Sequence, residues 1–330
     1  MIFHPLIIAL LAGSVFVVLM VAYSSAAAVG ILRKWDLGSG SELQLALERK
    51  TYLVSTLLAY VFAFELLSFF LYILTADRIQ PFFVGAMCAA GSLNVNGFGY
   101  PTLVVRLVNF LCVGVWLILN HVDSRGFDYP LIKVKYRAFL ILAPLVLLEG
   151  GLQAAYFLRL KPDIITSCCG TLFSAASGSL VPGMGGIPRV PAMAVFYAVT
   201  AAASGLGLIY WRKGRGGYLF SGLALLMFAV SVVSIFAFIS PYIYELPTHR
   251  CPFCMLQKEY GYIGYPLYLA LLSGTIAGFG VGVLMPFRRI ASLSETLGPL
   301  QRRLALIAAV LFLVFAGIVT ARIAVSNLVF

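Results

Sequence analysis

Apolar runs of about 20 residues recur along the whole chain, divided by short polar segments. Eight such runs fall near 3–32, 52–75, 102–121, 138–158, 191–211, 217–240, 263–286 and 304–327. Each is long enough to cross the hydrocarbon of a bilayer as an α-helix. The first and sixth have length to spare for tilting or for continuing past the hydrocarbon. What remains between the runs is too short to fold as a soluble domain. The pattern predicts an all-α polytopic membrane protein with eight transmembrane helices, and residues 1–330 as a single integral membrane domain. Composition agrees: 62% of the 330 residues are hydrophobic, 11% are charged, and the mean hydropathy is +1.00.

Charge orients the spans. Arg33, Lys34, Arg49 and Lys50 lie between runs 1 and 2; Arg125, Lys133, Lys135 and Arg137 between runs 3 and 4. Arg212, Lys213 and Arg215 separate runs 5 and 6, and Arg288, Arg289, Arg302 and Arg303 separate runs 7 and 8. These segments hold 15 of the 23 Lys and Arg residues, and the positive-inside rule places them in the cytoplasm. Both termini then face outward. The net charge of +11 is largely this topology signal. It gives no reason to expect nucleic-acid binding, because the basic residues are spread over four short loops. Ser24-Ser25-Ala26-Ala27-Ala28 looks like a signal-cleavage region, but the run before it is too long and lacks a positive start, so an uncleaved helix is expected.

This topology leaves outer loops at about 76–101, 159–191 and 241–265, and it sorts the cysteines. Cys88 falls in the first loop, Cys168 and Cys169 in the second, Cys251 and Cys254 in the third, and only Cys112 lies within a span. An outward face, such as the periplasmic side of a bacterial inner membrane, permits disulfides. Cys112 reads as a small apolar core residue. The outer loops share a plan: each carries cysteine and closes on a proline, Pro101, Pro191 or Pro266. Two stretches, 81–90 and 171–180, are apolar but too short to span, and suit short helices at the interface or dipping into the protein. A glycine-rich run at 181–188 follows the second.

Cys251-Pro-Phe-Cys254-Met-Leu-Gln257-Lys258 concentrates the chemistry. Cysteines at this spacing form a disulfide, attack one, or hold a soft metal. At a helix start they would meet the positive end of the helix dipole, and His249, Arg250 and Lys258 add to a positive field. The plain alternative is an inert loop disulfide. Adjacent Cys168 and Cys169, with Cα atoms about 3.8 Å apart, are too close for an unstrained bond. Either pairs more easily with Cys88 or with the Cys251/Cys254 unit, or both bind one soft metal.

The motif resembles that of the DsbB-type disulfide-generating membrane oxidoreductases, in which Cys-x-x-Cys at the outer start of a helix is followed by x-x-(Glu or Gln)-Arg. It is similar in logic to the vitamin K epoxide reductases. The resemblance covers about eight residues and the helix after them. It implies electron transfer from a thioredoxin-like thiol partner on the outer face to a membrane quinone. Cys251 and Cys254 would be the quinone-proximal pair. Lys258 would replace the family's arginine beside the quinone, with Gln257 and Tyr260 near it. The chain departs from the family in having eight spans rather than four, a lysine without the planar guanidinium fork, and no cysteine after Cys254. A second redox pair would therefore come from Cys88, Cys168 and Cys169.

Ionisable groups inside spans are costly and usually pair or line a cavity. Glu65 and Glu149 lie in spans 2 and 4, Arg106 in span 3, and Gln153 shares a helix face with Glu149. They read either as a structural Glu–Arg pair or as proton-handling carboxylates for thiol or quinone chemistry. Three functions are therefore expected to compete. One is a thiol–disulfide oxidoreductase relaying electrons to a quinone. Another is an outer-face copper site drawing on Cys251, Cys254, Met255, His249, Cys168 and Cys169. The third is a membrane subunit whose disulfides brace its loops. No phosphate-binding loop, Ser-His-Asp set or zinc-protease motif occurs, and one Cys-x-x-Cys supplies only half a structural zinc site.

Overall fold

The computed structural model describes residues 3–36, 41–126, 128–162, 164–166 and 188–328. The expectations for Cys168, Cys169, 171–180 and most of the glycine-rich run fall outside these residues. Among the described residues, eight helices are long and apolar enough to cross a membrane: α1 Pro5–Lys34, α2 Glu42–Arg78, α3 Gly99–Asp123, α4 Ile132–Leu158, α5 Arg189–Lys213, α6 Gly217–Ser234, α7 Gly264–Leu284 and α8 Ser294–Val325. Helix α6 runs on through a π-turn, Ile235–Ile239, and a short helix, Ser240–Tyr244. The chain is thus an all-α polytopic membrane protein. Large apolar side chains such as Leu53, Leu67, Val195 and Leu219 stay exposed along the helices, where lipid covers them.

The helices outrun their apolar windows where strong helix formers continue the pattern. Helix α2 begins at Glu42 rather than near 52 because Glu42, Leu43, Leu45, Ala46, Leu47 and Glu48 extend the hydrogen-bond ladder beyond the hydrocarbon. Helix α8 likewise begins at Ser294 rather than near 304.

Contacts group the chain into two compact units. The first comprises the described residues of Met1–Thr75, Asn96–Pro162 and Phe287–Leu297. Its core joins α1, α2, α3 and α4 through Val21, Leu58, Phe62, Val113, Trp116 and Phe139, all buried. Cys112 packs partly buried against this core. Phe62 meets Trp116 edge-on at 4.9 Å, and the Trp116 indole N–H donates to the Lys135 carbonyl at 3.0 Å. Lys135, read from sequence as a cytoplasmic loop charge, is buried instead. Its Nζ lies 2.5 Å from Asp123 Oδ2, while Asp123 Oδ1 accepts from the Leu131 N–H at 2.9 Å. The carboxylate thereby closes the α3–α4 turn and neutralises the lysine.

The second unit comprises the described residues of Ala76–Val95, Asp163–Pro286 and Gly298–Phe330. Helix α6 packs against α5 and α7. Small residues allow the approach: a Cβ at Gly278 of α7 would lie 2.6 Å from Ala224 Cβ on α6, and one at Gly207 of α5 only 2.9 Å from Phe220. Between lipid-bathed helices, dispersion across such close backbones replaces a hydrophobic driving force. The first cysteine loop belongs to this unit. The apolar stretch 81–90 forms no single helix there. It holds a 3₁₀ turn, Gln80–Phe82, and leads into a buried helical turn, Ala89–Leu93. Between them a β-bridge pairs Val84 with Ile165. Gly85 has φ +85°, and a Cβ there would meet the Thr166 carbonyl at 2.5 Å, so only glycine carries the chain through this crossing.

Candidate thiol centre

The loop that precedes α7 folds around its own tyrosines. Tyr244, at the end of the α6 extension, donates to the Cys251 carbonyl and accepts from the Met255 N–H at 2.9 Å. Tyr268, in the first turns of α7, donates to the Pro252 carbonyl at 2.6 Å. Two phenols thus fix the backbone of Cys251-Pro-Phe-Cys254. The loop does not run straight into a helix. Cys254–Leu256 and Lys258–Tyr260 are 3₁₀ turns, Gly261 and Tyr262 are left-handed, and α7 starts only at Gly264. The expected benefit from a long helix dipole therefore does not reach these cysteines. Met255 and Leu256 press instead on Gly264, where a Cβ would lie 2.7 Å from Met255 Cγ.

The first cysteine loop is tied to the loop that precedes α7. The Gln257 carboxamide donates to Asp77 Oδ1 at 2.8 Å and to the Met87 carbonyl at 3.0 Å. Cys88 follows Met87, and its Sγ lies 3.5 Å from Cys251 Sγ. The sulfurs of Cys88, Cys251 and Cys254 all lie within 4.8 Å of one another. All three residues are buried, at 0%, 0% and 5% exposure. His249 completes the group: its Nε2 is 3.3 Å from Cys254 Sγ, and its ring stands edge-on to Tyr244 at 4.5 Å. Burial lowers the His249 pKa, partly offset by the nearby Cys88. The imidazole is therefore kept neutral near pH 7, able to accept the Cys254 proton or to offer a lone pair.

No protein-family model, curated protein or solved structure matches the chain.

Of the residues singled out from sequence, Cys88, Cys251, Cys254 and His249 come together. Gln257 joins the loops, Tyr260 stacks edge-on to Tyr244 at 4.6 Å, and Lys258 is exposed. Tyr244, Tyr268 and Asp77 were missed, because a tyrosine or aspartate at a span end is an ordinary interfacial residue until its partner is known. Glu65 and Glu149 both lie buried in the first unit. The Glu149 carboxylate pairs with Arg106, whose Nε lies 3.2 Å from Oε1, and accepts from Asn109 Nδ2 at 2.5 Å.

Three sulfurs in mutual reach, one beside an imidazole, suit two kinds of chemistry. A thiolate can attack a disulfide formed by the other two, or three thiolates can bind one soft ion. In the first case His249 handles the Cys254 proton. His249→Ala should then slow thiol–disulfide exchange about 10²-fold, the usual scale for a positioned acid–base group. Raising the pH should recover much of the loss, because the thiolate then forms without help. Stopped-flow thiol trapping across pH checks this; a deficit equal at all pH values would assign His249 a structural role only.

Proposed function

We propose that the chain is a membrane thiol–disulfide oxidoreductase that relays electrons between outer-face cysteines and a quinone. The observation that carries this reading is the grouping of the Cys88, Cys251 and Cys254 sulfurs within 4.8 Å of one another. The exchange step balances within the group. With Cys251 and Cys254 joined, the Cys88 thiolate attacks Cys251 Sγ; the Cys251–Cys254 bond breaks, and Cys254 leaves as a thiolate beside His249. The net reaction oxidises a dithiol of a thioredoxin-like partner to its disulfide. The two electrons and two protons released reduce a quinone to a quinol. The DsbB-like motif supports the same chemistry, with Gln257, Lys258 and Tyr260 as the quinone-side residues. In this reading both termini and the cysteine loops face the periplasm of a bacterial inner membrane.

A second reading has a specific observation behind it. Three buried sulfurs also form a ligand set suited to Cu(I), since thiolates are soft donors and burial excludes competing water. One experiment separates the two. The full-length protein in lipid nanodiscs is mixed with a reduced thioredoxin-like dithiol and a soluble quinone analogue, and quinone reduction is followed by absorbance. Retained copper is measured on the same samples. The oxidoreductase reading expects quinone reduction that is lost in Cys251→Ser and slowed several-fold in Lys258→Ala. No quinone reduction, with stoichiometric Cu(I) that survives Lys258→Ala and is lost in Cys251→Ser, would overturn it in favour of the metal.

A further inference from the structure

The first unit carries a groove between α1 and α2. Lys50, Leu53, Leu57, Tyr60 and Phe64 of α2 follow one another at intervals of three and four residues, so they share one stripe of the helix. Together with Ala12, Gly13, Phe16 and Tyr23 of α1 they line a cavity of about 880 Å³. Its floor is the four-helix core, reached through buried Val54 and Val61. Its rim, formed by Phe16, Tyr23, Tyr52 and Tyr60, is exposed.

The groove is shut at one end and charged at the other. A Cβ at Gly13 would lie 2.6 Å from Phe64 Cζ, so the missing side chain lets the Phe64 ring rest on α1 and close the groove there. Lys50 stands at the opposite end, just before the apolar run of α2. At about 1.5 Å per residue, Lys50 and Phe64 are about 21 Å apart along the helix. One leaflet with its headgroups is half of a bilayer about 40–45 Å thick. The groove is therefore as deep as a single lipid. Among the described residues the Lys50 ammonium has no carboxylate partner, which leaves it for an anion from outside the chain.

We propose that this groove binds one anionic phospholipid, with an acyl chain laid along Leu53, Leu57 and Tyr60 and the phosphate at Lys50. The apolar stripe gives a contact that any acyl chain can use, and the cation at headgroup depth makes the choice of headgroup. A zwitterionic headgroup brings a cation of its own to Lys50, which offsets the attraction of its phosphate. Tyr52 beside the cation adds an aromatic ring with a hydroxyl at the level where such rings anchor helices to the interface. The inference stands apart from the thiol reading and survives its failure, because the groove lies wholly in the first unit and the three sulfurs in the second.

The test is native mass spectrometry of the full-length protein, reconstituted in vesicles of phosphatidylglycerol and phosphatidylcholine in equal amounts and then extracted in a mild detergent. The wild type is expected to retain a single phosphatidylglycerol per chain in preference to phosphatidylcholine. Lys50→Gln should cut that preference about fivefold, the scale of one basic side chain near anionic lipid. Lys50 is exposed, so this variant keeps the fold. Thr56→Trp, which sets an indole into the groove, should expel both lipids. Arg212→Gln, at the end of α5 and outside the groove, should leave retention as it was. A wild-type protein that retains no lipid, or both lipids equally, would overturn the proposal. So would a preference that Lys50→Gln leaves intact or that Arg212→Gln reduces as much, since the general positive surface would then be its source. Phosphatidylglycerol held undiminished by Thr56→Trp would place the lipid elsewhere and overturn it too.

Discussion

Cys254→Ser is expected to trap the chain with Cys88 and Cys251 joined. Their sulfurs are 3.5 Å apart, about 1.5 Å more than a disulfide bond, so a small closure of the first loop onto the third completes the bond. Without Cys254 the resulting disulfide has no neighbouring thiolate to reopen it from within the motif. Quinone reduction should fall below about 1% of wild type, since the Cys251–Cys254 disulfide that Cys88 attacks can no longer form and no Cys254 thiolate is left to reopen the Cys88–Cys251 bond. Non-reducing peptide mass spectrometry after mild oxidation reads the outcome directly. The diagnostic product is a peptide carrying residue 88 linked to one carrying residue 251. If Cys251 is recovered as a thiol, or linked to Cys168 or Cys169 while Cys88 stays reduced, the first transfer does not run through Cys88. The same variant would also distinguish a relay from bracing: a structural disulfide lost at Cys254 would lower stability, but would not create the new link.

The largest effect on stability is expected from Arg106→Ala. The guanidinium contacts α2 through Ser68 and α4 through Glu149 and Gln153. Its removal leaves buried carboxyl groups without a cation in a medium that solvates charge poorly. Breaking one partner of a buried pair costs about 3–5 kcal/mol. Adding Glu149→Gln to Arg106→Ala should return part of that loss, because the uncompensated charge goes with it; the coupling in this double-mutant cycle should exceed about 1 kcal/mol. Denaturation in detergent micelles, followed by tryptophan fluorescence of Trp116 in the same unit, measures both. Arg106→Ala within about 0.5 kcal/mol of wild type would mean that the cluster is hydrated and does not hold the four helices together.

Much of the fold was legible because its signal is local. A bilayer imposes one requirement on each crossing segment, an apolar length with satisfied backbone groups, and a run such as 263–286 meets it with residues next to one another in the chain. All eight helices follow from that. Their ends were less legible. Glu42–Lys50 and Ser294–Arg303 continue helices with polar residues that hydropathy discounts. The glycines of α7 that admit α6 have no meaning until a neighbour is known to approach them.

The candidate site divides the same way. Residue type and spacing alone single out Cys251-Pro-Phe-Cys254 with His249 as a candidate site, and mark Glu65, Arg106 and Glu149 as groups needing partners. The partners are another matter. Cys88 lies 163 residues before Cys251, and Glu65, Arg106 and Glu149 sit on three different helices. Those meetings depend on how each helix is rotated and at what height it packs, which apolar runs with little periodic contrast do not specify. The sequence by itself determined eight crossings, their loop charges and a Cys-x-x-Cys motif, because each depends on neighbours in the chain. Only the tertiary structure decided that Cys88 is the third sulfur and that Arg106 pairs with Glu149, because each depends on long-range packing that brings distant segments within a few ångströms.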